Sequence, residues 1–201
     1  MIRACDIFLS LLLLVLTLPL FLLLVLLLPV VNRGGVFYVM ERSGRGGRVY
    51  RHVKFRTMRP GPEVGRVFFE QGRITRAGRV LRALHLDELP ELWLILIGKM
   101  SFVGPRPLPP RLLAGLDSSL RQTVRPGWTG PAQLFLLRRG RLDKQLQIRL
   151  DNRWVRRRSL RLYLRLLAAT LCAFFFRRAA ADLDPAATEA RRRFGGGPYR
   201  P

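Results

Sequence analysis

Two adjacent carboxylates, Asp87 and Glu88, stand with a third at Glu91 in the stretch from His85 to Pro107, "HLDELPELWLILIGKMSFVGPRP". The chain holds 36 Lys+Arg against 13 Asp+Glu, a formal net charge of +23, so an acidic cluster here is a departure from the rest. Arg76, Arg79, Arg82 and Arg106 surround it in sequence. The plain reading is that Asp87 caps the helix that follows. The chemical reading starts from repulsion: neighbouring carboxylates share a site only when a cation lies between them or one is protonated. Mg²⁺ would serve, because it takes one or two carboxylates and fills its remaining positions with water and phosphate oxygens. A helix N-terminus also attracts phosphate. Arg106, set between Pro105 and Pro107, would offer a rigid bidentate donor. Together these types point to phosphoryl chemistry.

The elements that must position such a site are readable around it. Residues 33–60 combine Gly-rich turns with alternating segments, "GVFYVM" and "RVYRHVKFRTM", which predict a β-hairpin. Residues 73–84, "RITRAGRVLRAL", predict an amphipathic helix with a basic face, suited to a membrane surface, to an anionic ligand, or simply to solvent. An apolar helix is predicted over 90–97. Residues 103–110 form an ordered Pro-rich loop and 125–134, "RPGWTGPAQL", a second Pro/Gly loop in which Trp128 is available as an interfacial anchor. Residues 141–178 predict further helix, either interfacial or core. Residues 182–201 read as a flexible basic tail. His52 and His85 are too few and scattered for a metal site, and are read as structural or solvated. Cys5 and Cys172 form no disulfide framework and are read as reduced, buried and inert.

From Ile7 to Val31 the chain is almost uncharged, and at about 1.5 Å per residue it reaches across a hydrocarbon core. No small-x-small cleavage pattern follows it, so a removed signal is not expected. The arginines after residue 32 place the remainder in the cytoplasm. Pro19 near its centre leaves two topologies open: a kinked spanning helix, or a broken helix that enters and leaves by one face. A 49% hydrophobic chain with this charge fits an anionic partner at a membrane. Aromatic interleaving of the kind a nucleic-acid surface uses is lacking, so nucleic acid is not expected.

"KFRTM" (54–58), the run 74–107 and "RPGWTGPAQL" (125–134) resemble the small monotopic polyprenyl-phosphate phosphoglycosyl transferases, the bacterial sugar transferases, over about residues 3–170. The resemblance implies a mostly helical α+β fold. It has a re-entrant membrane helix over 1–32 broken at Leu18-Pro19, a small hairpin, and interfacial helices around a catalytic domain over 33–181. It implies transfer of a sugar 1-phosphate from a UDP-sugar to undecaprenyl phosphate, with release of UMP. The place is the cytoplasmic face of the bacterial inner membrane, and the step is the first membrane step of polysaccharide or glycoconjugate assembly. By position, Asp87 is the nucleophile and Glu88 its partner in metal binding or proton handling, with Mg²⁺ held by both. Lys54, Arg56, Arg82, Arg106 and Arg125 are the expected phosphate and substrate contacts. The lipid bilayer is a partner, and a homodimer is compatible. The chain departs from the family pattern in three places. Leu18 replaces the Ser before the helix-breaking proline, Pro131 stands where Trp usually follows Thr-Gly, and Tyr163 stands where the late helix usually carries Asp.

Two further classes fit the same composition: a non-catalytic basic membrane protein, and a family scaffold that has lost turnover. The first gives no reason for the Asp-Glu-Leu-Pro and Gly-Pro-Arg-Pro elements. Magnesium-dependent UMP release separates the transferase from the non-catalytic protein.

Overall fold

The structure is a computed structural model that describes residues 1–61, 73–139 and 142–175. It is a mostly helical α/β mixture with two small sheets. The predicted tail, 182–201, lies outside the described residues. The chain groups into two compact units. One comprises Ala4–Arg42 and Tyr50–Gly98; the other comprises Met1–Arg3, Ser43–Val49 and the chain from Lys99 onward.

The first unit holds the long apolar helix α1 (Ile2–Asn32), which keeps helical conformation through Leu18 and Pro19 and also contains Pro29. Proline removes an amide donor and crowds the carbonyl four residues back. Thr17 Oγ1 donates to Leu13 O at 2.7 Å rather than to that carbonyl, a back-bond that bends helices slightly. Strands β1 (Phe37–Ser43) and β2 (Val49–Phe55) form the predicted hairpin. Phe55 is buried, stacks on Phe37 at 5.5 Å and meets Phe21 of α1 in a tilted contact at 5.0 Å. Beyond β2 the backbone turns back against residues 73–75: Met58 bridges Ile74, and Thr75 N donates to Thr57 O at 3.1 Å. Helix α2 (Arg76–Ala83) follows, then a 3₁₀ turn over Leu86–Glu88 and helix α3 (Glu91–Leu96). Leu81, Leu89, Leu92 and Ile95 supply this unit's core.

The second unit is built on a pairing that the sequence reading did not contain. The two Pro/Gly loops carry short strands, β3 (Ser101–Val103) and β4 (Gly127–Thr129), which run parallel with Ser101 opposite Gly127 and Val103 opposite Thr129. The backbones meet so closely that a Cβ on Gly127 would lie 2.0 Å from Gly104 N, which only glycine allows. Helix α4 (Pro131–Arg139) begins with Pro131 in its first turn, where a missing amide donor costs nothing. The single helix predicted over 141–178 is two, α5 (Lys144–Arg156) and α6 (Leu160–Phe175), because Ser159 caps a new start by accepting from Leu162 N. Helix α4 packs on both, and α6 also covers β3 and β4. Tyr163 is fully buried in this core. Trp128 is half-buried with its ring 5.7 Å from that of Phe102. Cys5 and Cys172 are free and half-buried rather than fully enclosed.

Candidate active site

The acidic cluster is assembled by three short elements of the first unit. Thr75 caps α2, accepting from Gly78 N at 2.9 Å, and its hydroxyl donates to Asn32 Oδ1 at 2.8 Å. Asn32, fully buried, donates in turn to Arg56 O at 2.6 Å. The end of the membrane helix, the "KFRTM" segment and the start of α2 are therefore tied at one point. Gly78 lets α2 lie directly on Thr57, since a Cβ there would come 2.0 Å from Thr57 O. At the other end of α2, His85 takes a left-handed conformation (φ 55°), uncommon for a residue with a side chain. That turn reverses the chain into Leu86–Glu88. No side-chain cap bond is made at the start of this turn or of α3, where Pro90 stands at the cap position, so Asp87 is not a capping residue.

Lys54 provides the cation between carboxylates. Its Nζ lies 3.0 Å from Glu91 Oε1 and also pairs closely with Glu88 Oε1. Burial works against the ammonium, but Glu91 and Glu88 outweigh it and raise its pKa above the ordinary lysine value. Glu91 is almost fully buried, and its same Oε1 also meets His52 Nε2 at 3.0 Å; His52 Nδ1 meets Tyr50 OH at 3.3 Å. Alternate residues of β2, Tyr50, His52 and Lys54, thus present one polar row to the carboxylates. His85 Nδ1 lies 3.8 Å from Glu88 Oε2, and the interaction with that carboxylate raises the imidazole pKa. Asp87 is different. It is half-buried, and among the described residues no side chain hydrogen-bonds or ion-pairs with it. Burial pushes its carboxyl pKa up and the Glu88 charge adds to this, while Lys54 and Arg82 pull it back. Arg82 is itself anchored, donating from Nε to Thr57 Oγ1 at 2.8 Å. The result is one under-compensated carboxylate beside two that are locked.

The bacterial sugar transferase family model matches residues 1–177. The chain belongs to that family. Among similar curated proteins, the exopolysaccharide production protein ExoY of Rhizobium meliloti is 37% identical over 182 residues, covering 79% of this chain and 78% of that protein. The UDP-glucose:undecaprenyl-phosphate glucose-1-phosphate transferase of Caulobacter vibrioides is 36% identical over 149 residues, 69% of this chain and 55% of that protein. A UDP-N-acetylgalactosamine-undecaprenyl-phosphate N-acetylgalactosaminephosphotransferase of Aeromonas hydrophila is 36% identical over 140 residues, 66% of this chain. The chain spans only 33% of that last protein's length.

In this chain, Lys54, Arg82, Asp87 and Glu88 are brought together. Arg56 is turned to the hairpin, where its Nη2 donates to Phe37 O at 3.4 Å. Arg106 and Arg125 belong to the second unit, at adjoining ends of the β3–β4 ladder, where Pro105 O accepts from Gly127 N at 2.9 Å. Arg106 is exposed and Arg125 half-buried. No cluster of three or more His, Cys, Asp and Glu suited to a metal ion occurs among the described residues. Asp87, the freer carboxylate, and Glu88, partly committed to Lys54, are the residues that would hold Mg²⁺, an ion that takes one or two carboxylates and fills its other positions with water and phosphate oxygens. His52 is structural, as expected, and its partner Glu91 is 39 residues away in sequence; the alternation of polar residues on β2 is the one sequence signal of that role.

Proposed function

We propose that this chain transfers a sugar 1-phosphate from a UDP-sugar to undecaprenyl phosphate, releasing UMP, through a covalent intermediate on Asp87. The observation that carries the reading is the contrast among three neighbouring carboxylates: Glu88 and Glu91 are tied by Lys54, while Asp87 has no side-chain partner among the described residues. An Asp87 oxygen attacks the β-phosphorus. The bond from that phosphorus to the bridging oxygen breaks, and UMP leaves with the electron pair. An oxygen of the lipid phosphate then attacks the same phosphorus, the Asp87–phosphorus bond breaks, and the carboxylate is restored. Lys54 and the anchored Arg82 offset charge gathering on the phosphoryl oxygens. Mg²⁺, held by Asp87 or Glu88 with substrate oxygens, would supply additional charge neutralisation when bound.

The proposed place is the cytoplasmic face of the bacterial inner membrane. Helix α1 contains a window of mean hydropathy 3.2, of which 11% is buried. Its polar residues Asp6, Ser10 and Asn32, near the two ends, are buried, while most of its apolar residues, Phe8, Val15, Leu26 and Val30 among them, are exposed. Buried polar residues near both ends favour re-entry over spanning, with a bend at Pro19 in place of the expected break, since the helix is continuous there. Val80, Leu84, Trp93 and Ile97 on α2, α3 and their flanks are exposed apolar groups, which favours an interfacial position for these helices.

The test is a single turnover in nanodiscs with Mg²⁺ and a panel of UDP-sugars, without lipid acceptor. The expected result is UMP release and a phosphosugar adduct by protein mass, both absent from Asp87→Asn, which still associates with membrane. Turnover near the unaltered level in Asp87→Asn removes Asp87 from the nucleophile role. For topology, extracellular labelling of a cysteine placed at residue 2 in intact cells would sink re-entry.

A further inference from the structure

Asn32 closes α1 and is 0% exposed. Asparagine at a helix end ordinarily serves to take left-handed φ. Here Arg33 takes it, at φ 49°, and the Asn32 side chain reaches segments 24 and 43 residues further along the chain. An amide has a donor end and an acceptor end, and each is used on a different segment. Nδ2 donates to Arg56 O at 2.6 Å, and Oδ1 accepts from Thr75 Oγ1 at 2.8 Å. Arg82 is mounted on the same two segments. Its helix, α2, starts at the Thr75 cap, while its Nε donates to Thr57 Oγ1 at 2.8 Å, one residue past Arg56. The other end of α2 contacts the Leu86–Glu88 turn that carries Asp87. All of these residues lie in the first unit.

Filling space does not account for this residue. Leucine has the same branching and avoids the cost of taking an amide out of water, a cost offset only by bonds made inside. What leucine lacks is a donor and an acceptor set back to back. We infer that Asn32 is a positioning residue: its amide ties the end of α1 to the two segments on which Arg82 stands, and so fixes where that guanidinium meets the phosphoryl group carried to Asp87. The inference rests on the proposed transfer through Asp87.

Two replacements test it in the full chain in nanodiscs. Asn32→Leu keeps the branching and removes both bonds. Asn32→Ala leaves room for a water to meet Arg56 O and the Thr75 hydroxyl, which protects the fold while loosening the tie. UMP release in a single turnover at saturating UDP-sugar is expected to slow by ~10–100-fold, the usual consequence of losing a group that orients a ligating one. In an Arg82→Met background the same replacements change the rate by less than ~3-fold, the non-additivity of residues acting as one unit. Thr75→Ser, which retains the hydroxyl, transfers at close to the unaltered rate. Exchange of the Thr75 and Gly78 amide protons, whose acceptors are Thr57 O and Thr75 Oγ1, accelerates at least ~10-fold while that of the α3 amides is unchanged. An equal loss in both backgrounds, unaltered UMP release, or unchanged exchange at Thr75 and Gly78 overturns the proposal. Acceleration that extends through α3 in both variants also overturns it, because Asn32 then stabilises the whole unit rather than placing Arg82. Absence of transfer from the unaltered protein instead removes the transferase reading, and the exchange rates still decide whether Asn32 ties the two segments.

Discussion

Replacing Gly78 by alanine sets two effects against each other. Alanine is the better helix former by about 1 kcal/mol, so on propensity alone Gly78→Ala should stabilise α2. The new Cβ, however, would lie 2.0 Å from Thr57 O, 2.8 Å from Thr57 C and 3.0 Å from Thr57 Cα. Ordinary contact begins near 3.4 Å, so helix or strand must retreat by about 1.4 Å. The obstacle is backbone, and Thr57 O already accepts from Thr75 N. Overpacking of this kind costs typically ~1–3 kcal/mol, which outweighs the propensity gain. The larger consequence is for activity. Helix α2 carries Arg82 and leads directly into Leu86–Glu88, so a retreat of this size displaces the proposed nucleophile and one of its cations. Misplacement by about 1 Å costs on the order of 10²-fold in rate. UMP release under single-turnover conditions, with thermal unfolding in parallel, measures both effects. Gly35→Ala is the control, since its Cβ would meet only Arg56 Nη2 at 3.9 Å. Transfer by Gly78→Ala within ~3-fold of the unaltered protein, at an unchanged unfolding temperature, would refute a site placed by this close contact.

Lys54→Met removes a cation that holds the Asp87 carboxyl down against burial. The acid limb of adduct formation, where Asp87 must lose its proton to attack, should therefore move to higher pH; a limb that stays or moves down contradicts the assignment. Asp151 predicts a stability effect. Burial raises its carboxyl from 3.8 to about 7, with Arg121 opposing. Between those values the folded chain holds a proton that the unfolded chain releases, so stability falls as pH rises from about 4 to about 7 and levels off above. At roughly 1.4 kcal/mol per unit this is worth a few kcal/mol. Asp151→Asn should lack that slope, and unfolding profiles from pH 5 to 8 that run parallel for the two proteins would contradict it.

The local elements were legible because each rests on short-range signals. The apolar run fixed α1, Gly-rich turns between alternating segments fixed the hairpin, and the 3.6-residue spacing around Leu81 fixed α2 to within a few residues. The Asp87-Glu88 pair was visible as an acidic cluster in a chain of net charge +23. Partnership was not legible, because it depends on residues far apart in sequence. Lys54 reaches Glu88 across 34 residues and His52 reaches Glu91 across 39. Only the folded chain distinguishes the two locked carboxylates from the free one, and so turns an acidic cluster into a candidate nucleophile. The parallel pairing of the two Pro/Gly loops has the same origin. Neither loop contains a signal naming its partner, and the close approach of Gly104 and Gly127 exists only once both strands are laid side by side. Arg121 and Asp151 are ordinary surface-type residues in the sequence; burial alone, a property of the packed unit, makes their charges consequential.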